Sequence, residues 1–258
     1  MFAFGTDFPR VRETATEPPN DDNGKTFINA PEPLSREAAL VNQAYSQQVI
    51  TDAKEPIRYE NTSPFVEEDA NVPEVGYKYR HFSVEDEEAE HAHMDVVVRT
   101  QIDAYQLRGA QKKTVAVHAF HQYAVNNNDL NWRNVLDSQG GGVLASVVKD
   151  EASRLARFTT RALLADADLV SLGFVTRSHP SRHLDHIILG TQVHRTKTIA
   201  SQMGLAQEAL WAVASRIFDS LLSLDEGEYV LLKDANESVL RVYAVPEGSL
   251  DGAGPSDA

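Results

Sequence analysis

The chain has 258 residues, 42% of them hydrophobic, which is enough apolar content to bury the core of one large domain or two small ones. Its 24 Lys and Arg stand against 38 Asp and Glu, a formal net charge of -14, which excludes a diffuse polycation on nucleic acid and confines any RNA contact to a local patch. Cysteine is absent, which excludes disulfides and thiolate metal sites and fits a reducing compartment, the cytosol being the simplest one.

Met1-Phe2-Ala3-Phe4 reaches Asp7 before an apolar region of signal-peptide length develops, and no apolar run approaches a membrane span, so a cytoplasmic chain without membrane contact is expected. Residues 1–33 hold Pro9, Pro18, Pro19, Pro31 and Pro33 with Asn20-Asp21-Asp22-Asn23-Gly24, a composition that resists helix and central strand and predicts an extended arm. Ser35 is the expected cap of a helix running to about Asp52, with Ala38, Val41, Tyr45 and Val49 as its buried stripe. Residues 54–76 are proline-broken and acidic. A strand from Tyr77 to Phe82 precedes Glu85-Asp86-Glu87-Glu88-Ala89-Glu90, which reads as a solvated loop.

Met94, Val96, Val98, Thr100 and Ile102 alternate with polar neighbours, the period of a half-buried strand, and a second strand is expected from Thr114 to His121. Beyond Asn126-Asn127-Asn128, the triplet Gly140-Gly141-Gly142 opens a long amphipathic helix marked by Leu144, Val147, Val148, Leu155, Phe158 and Ala162. Leu169 to Arg177 and His186 to His194 read as strands around a turn at Pro180. Leu210, Val213, Ile217 and Leu221 mark another helix, and a closing hairpin joins Glu228–Lys233 to Val239–Val245 through Asp234-Ala235-Asn236-Glu237. Hairpins recur, with long helices between pairs of strands. The expected fold is therefore α+β, with mixed, largely antiparallel sheets flanked by helices: an arm over 1–33, a single core domain over 34–247 and a disordered tail over 248–258.

Nine histidines raise the question of a metal. On a strand His91 and His93 share a face, whereas His118 and His121 point to opposite faces, and no helical His-Glu-x-x-His pattern supplies further ligands. No metal and no cofactor are expected. A nucleophile elbow and a P-loop are both missing, and the glycine triplet follows no strand, so it reads as the flexible start of a helix. Arg154, Arg157 and Arg161 fall at i, i+3 and i+7 of the long helix and form a basic ridge, suited to phosphates or to pairing with carboxylates such as Asp150 and Glu151. Trp132, between Asn131 and Arg133, is expected to be partly exposed and able to stack on a base, whereas Trp211 is expected in the core.

Several segments carry a family likeness in order: Ser46-Gln47-Gln48, Ser63-Pro64-Phe65-Val66-Glu67, Tyr77-Lys78-Tyr79-Arg80, Asn131-Trp132-Arg133, Leu136-Asp137-Ser138-Gln139, Ile188-Leu189-Gly190-Thr191-Gln192 and Arg241-Val242-Tyr243. From Glu13 to about Gly248 the chain resembles the carboxy-terminal core of the d subunit of eukaryotic translation initiation factor three. The resemblance implies association with other subunits of that factor and with the small ribosomal subunit, and contact with messenger RNA including its five-prime cap. It also implies a fold similar to the decapping and exonuclease enzymes. Those nucleases hold divalent metals with a Glu-x-Asp and a Glu-x-Lys on successive strands. The corresponding stretches are read here as His93-Met94-Asp95 and Thr114-Val115-Ala116-Val117-His118-Ala119, so a non-enzymatic subunit is expected.

In the family, one face of the helix matching Ser35 to Asp52 is implicated in cap binding. Asn42 keeps the family residue, while Gln43 stands where a His is usual and Ala39 where a Thr is usual; both amides can still hydrogen-bond a base edge or phosphate. The arm from Asp7 to Pro19 is expected to be a shortened remnant of a segment described as an RNA gate, without the family's usual amino-terminal tail. Two further readings are an independent cap or RNA-binding module and a metal-dependent decapping or exonuclease enzyme.

Overall fold

A computed structural model describes residues 2–4, 27–50, 76–85, 93–123, 130–234 and 237–246. The amino-terminal arm between residues 5 and 26, the proline-broken segment 51–75, the acidic run beyond Glu85, His91, the asparagine triplet and the tail from 247 lie outside them. The chain divides into two compact units, one of Arg36–Ile217 and one of Met1–Ser35 with Phe218–Ala258.

In the larger unit, a four-stranded sheet has the order β4 (Ala104–Arg108), β5 (Gln111–Gln122), β6 (Leu169–Arg177) and β7 (His186–Arg195). β5 and β6 run parallel, while β4 and β7 lie antiparallel on the two edges. Every residue of β6 is buried, as is the run Val115 to His121 of β5, because these central strands are covered on both faces. A parallel pair needs a crossover. Here it is made by α2 (Trp132–Val135), α3 (Gly140–Asp150) and α4 (Ala152–Leu164). On that side Ala116, Phe120, Val170, Leu172 and Phe174 pack with Val143, Val147, Leu155 and Phe158. The opposite face carries Val115, Val117, Ala119, Leu169 and Val175, covered by Val41 and Tyr45 of α1 (Pro31–Val49). His118 and His121 accordingly fall on opposite faces, as their spacing requires.

A separate hairpin, β2 (Gly76–Glu85) with β3 (His93–Ile102), is antiparallel throughout. It also closes a helix end: Arg80 donates to the carbonyls of Leu163 and Leu164 at 3.3 and 3.1 Å, and Lys78 to that of Ala165 at 3.5 Å. These are the last carbonyls of α4, which have no partners within the helix and attract cations. The short α5 (Thr196–Gln202) and α6 (Gln207–Leu222) follow β7. In the smaller unit a three-stranded sheet has β9 (Leu240–Val245) at its centre, parallel to β1 (Phe2–Phe4) and antiparallel to β8 (Glu228–Lys233). No helix among the described residues is long and apolar enough to cross a membrane. The architecture is the expected α+β one with mixed sheets.

Four local expectations are corrected. α1 starts at Pro31, four residues before Ser35, because proline is tolerated in a first turn whose amides lack partners anyway. The single long helix after the glycine triplet is two helices that break at Glu151, whose φ of -123° and ψ of 33° are not helical. The stripe of α6 is rotated: Val213 is 62% exposed, while Ser215 is buried and Trp211, one turn before it, is half-buried with its ring 4.8 Å from Phe82. The fourth correction reverses the expectation for Trp132, which is only 5% exposed and packs edge-on against Phe174 at 5.3 Å.

Gly173 in β6 lies under Tyr45 of α1, and a Cβ there would stand 2.3 Å from the tyrosine ring. Tyr45 is pinned in turn by a 2.6 Å hydrogen bond between its hydroxyl and Thr191 Oγ1 on β7. Gly173→Ala is expected to destabilise the fold by about 2 kcal/mol or more, the cost of overpacking a filled site. In a Tyr45→Ala background the same change should cost much less. Urea midpoints of the four proteins in a double-mutant cycle test this, and additive costs would contradict the contact.

Candidate functional site

Four polar side chains that are far apart in sequence meet on the face of the large sheet covered by α1. Glu37 comes from the second turn of α1, His121 from near the end of β5, Arg177 from the end of β6 and His186 from the start of β7. Parallel pairing sets His121 beside Val175, and antiparallel pairing sets Arg177 beside His186, so the strand ends bring these groups together. Arg177 grips Glu37 with a fork: Nε donates to Oε1 at 2.8 Å and Nη2 to Oε2 at 2.5 Å. His186 Nε2 lies 2.8 Å and His121 Nε2 3.2 Å from the same Oε1.

This cluster is closed on most sides. Glu37, His121 and Arg177 are buried, and only the His186 side chain, 20% exposed, reaches solvent. A second arginine, Arg133 of α2, donates to the carbonyls of Arg177 and Ser178, while Arg177 Nη1 reaches the carbonyl of Pro180 at 2.8 Å. The Tyr123 ring lies 5.6 Å from the Arg177 guanidinium. Burial pushes the Glu37 carboxyl up, but the hydrogen bonds from Arg177 and His186 outweigh it and hold the group below its ordinary range. Burial brings His121 down to about 4 against the opposing pull of Glu37, so its ring is neutral near neutral pH. Removing one partner of a buried ion pair leaves the other charge uncompensated, at a cost of about 3–5 kcal/mol.

The residues expected at a binding surface are dispersed. Asn42 uses its side-chain carbonyl to accept the Ala119 amide of β5 at 2.9 Å, and Gln43 beside it is exposed. Trp132 is a core residue whose backbone amide donates to Gln122 Oε1 at 3.1 Å. Arg154 pairs at 2.7 Å with Glu151, the residue at the break just before its helix. Arg157 and Arg161 are exposed, the former with its guanidinium 5.7 Å from the Phe158 ring. A cleft of about 290 Å³ lies at the far end of α1, lined by Val49, Tyr105, Val117, Ser171 and Thr191 among others.

Asp103, which no sequence pattern singles out, also lies against β5. Its Oδ2 accepts the Val117 amide at 2.7 Å and its Oδ1 accepts from Gln101 Nε2 at 2.7 Å. Burial raises its carboxyl pKa despite those two bonds and the charge of Arg161. Asp95 lies instead on the β2–β3 hairpin, 3.0 Å from His81 and 3.8 Å from His93. Asp103 is thus engaged by a backbone amide of β5, and Asp168 by Lys113 and the Thr114 amide at the start of the same strand, at 3.0 and 3.1 Å.

Over residues 3–244 the chain matches the family described as eukaryotic translation initiation factor 3 subunit 7. It is 36% identical over 249 residues to the D subunit of eukaryotic translation initiation factor 3 of Homo sapiens and of Xenopus tropicalis, covering 94% of this chain and 44% of each relative. It is 34% identical over 249 residues to the D-2 subunit of the same factor from Drosophila erecta, covering 95% of this chain and 44% of that relative. The chain therefore spans less than half the length of the curated relatives it matches.

His118, on the sheet face opposite Glu37, stacks on Phe158 with ring centroids 4.0 Å apart and has no hydrogen bond at Nδ1 among the described residues. Burial first, then the charges of Arg161 and Arg157, brings it down to about 3. His118 and His121 both have folded values below the unfolded one of about 6.5, so the unfolded chain binds more protons between those limits and stability is lost as pH falls below about 6.5. The slope is at most about 1.4 kcal/mol per pH unit for each ring. His118→Phe should remove about half of it, read as the change in urea midpoint between pH 7 and pH 5; an unchanged slope would rule out His118 as a source.

Proposed function

The chain belongs to the eukaryotic translation initiation factor 3 subunit 7 family, and on that premise we propose that it is a non-enzymatic subunit of the factor, acting in the cytoplasm with other factor subunits and the small ribosomal subunit. The observation that carries this reading is the continuous match over residues 3–244, which takes in both compact units. The absence of catalysis is supported by Thr114 to Ala119 of β5, which offers neither Glu nor Lys, and by Asp103, whose carboxylate is held by the Val117 amide. A tagged chain expressed in cells is expected to bring down small ribosomal subunits together with other subunits of the factor. Recovery of neither would overturn the proposal.

Contact with messenger RNA or its five-prime cap is a second reading, favoured by the exposure of Gln43 on α1 and of Arg157 and Arg161 on α4. On so acidic a chain, two exposed guanidiniums on one helix face suit phosphates, and such binding weakens as salt rises. Cap contact predicts that capped RNA outcompetes uncapped RNA and that Gln43→Ala narrows the difference. Phosphate contact predicts that Arg157→Ala with Arg161→Ala weakens both RNAs equally, by about tenfold. Equal competition by the two RNAs would remove the cap and leave phosphate binding standing. Cap release or trimming in the presence of manganese would overturn the non-enzymatic reading.

A further inference from the structure

We propose that Glu37, His121 and His186 form a binding site for one divalent transition-metal ion of the zinc class, with Glu37 Oε1 and the two Nε2 atoms as its protein ligands. The three ligand atoms lie within 4.8 Å of one another, and the carboxylate oxygen is 2.8 Å from one ring nitrogen and 3.2 Å from the other. Zinc bonds of about 2.0–2.1 Å at tetrahedral angles place neighbouring ligand atoms about 3.3 Å apart. To hold the ion, the ring nitrogens must draw back a few tenths of an ångström from the carboxylate oxygen and settle at that same spacing from each other, where they now lie within 4.8 Å.

His121 Nε2 supplies the independent observation. The side chain is 2% exposed, its Nε2 points into the cluster, and that atom makes no hydrogen bond among the described residues. Glu37 Oε1 is close to it but off the hydrogen-bonding axis. Buried polar atoms are nearly always satisfied, and a ring nitrogen facing a carboxylate and a second imidazole is satisfied by a shared cation. The donor set also selects the ion. Two imidazoles and one carboxylate suit zinc, cobalt, nickel and copper, whereas magnesium and calcium require oxygen ligands.

Arg177 acts as the outer partner that orients the ligand carboxylate, the role second-sphere hydrogen bonds play around metals. Its charge opposes a dication. Glu37 supplies one negative charge against both, so a bound ion needs an anion such as hydroxide in its remaining position, beside the partly exposed His186. The ligands come from α1, β5 and β7, so the ion ties the helix to two strands of the sheet.

The test uses the untagged full chain, freed of metal with a chelator and titrated with Zn2+, Co2+ or Mg2+. One equivalent of Zn2+ should bind and raise the melting temperature, Co2+ should develop the visible absorption of a low-coordinate imidazole site, and Mg2+ should do neither. Because His186 is partly exposed, His186→Gln should fold and should weaken Zn2+ binding at least tenfold; His121→Gln should do the same. His93→Gln, on the hairpin, should leave binding unchanged. Failure to bind one equivalent of Zn2+, equal affinity in the His186→Gln protein, loss of binding in the His93→Gln protein, or equal binding of Mg2+ would each overturn the proposal.

Discussion

The fork between Arg177 and Glu37 sets how α1 lies on the large sheet. A guanidinium and a carboxylate that are both removed from water lose their hydration, and that loss is recovered only when the two meet in good geometry with their remaining donors and acceptors engaged. Here they meet in two parallel hydrogen bonds, and the guanidinium is bonded again at Pro180. Once Glu37 is held at the end of β6, helical spacing dictates the rest of that face. Val41 and Tyr45 follow at four and eight residues, over Ala119 and Val175 and then over Gly173 and Thr191. A helix otherwise rich in Arg, Gln, Asn and Ser is thereby committed to a single register.

The same register resolves a difficulty at β5. Its partner β4 ends early: the last residues of β5 that pair with it are Thr114 and Val115, so the outward amides further along have no strand to bond. Asp103 takes the amide of Val117 and Asn42 that of Ala119. Two side chains thus continue the ladder that β4 does not complete. This places Asn42 among the groups that close the sheet, leaving the neighbouring exposed Gln43 to face solvent. It also gives the Asp103 carboxylate beside β5 a structural task, the capture of a backbone amide.

Much of this fold is legible in the sequence because it is local. The nine buried residues of β6 include Ser171, Thr176 and Arg177, yet the run reads as a strand from its apolar density and flanking turn residues. Period-two reasoning also separates His118 from His121 correctly. The cluster is not legible, because Glu37 lies 140 residues from Arg177 and 149 from His186, and each looks like an ordinary surface residue among its neighbours. The two tryptophans mislead for a related reason. Polar neighbours suggest exposure for Trp132, but its ring turns into the core opposite Phe174, whereas apolar neighbours suggest full burial for Trp211, which is half-buried against Phe82.

The sheet separates the two surfaces on which RNA contact is proposed. Gln43 belongs to α1 on one face, and Arg157 and Arg161 to α4 on the other. The strands of the sheet stand between the two helices, with a packed layer of side chains on each face. No single nucleotide reaches through those layers, so a base edge read at Gln43 and a phosphate held at Arg157 belong to different parts of any bound strand. Arg154 is already matched by Glu151, which reduces the ridge to two cations. The proposed cap contact and the proposed phosphate contact therefore fall on opposite faces of one sheet, and a change at one leaves the other in place.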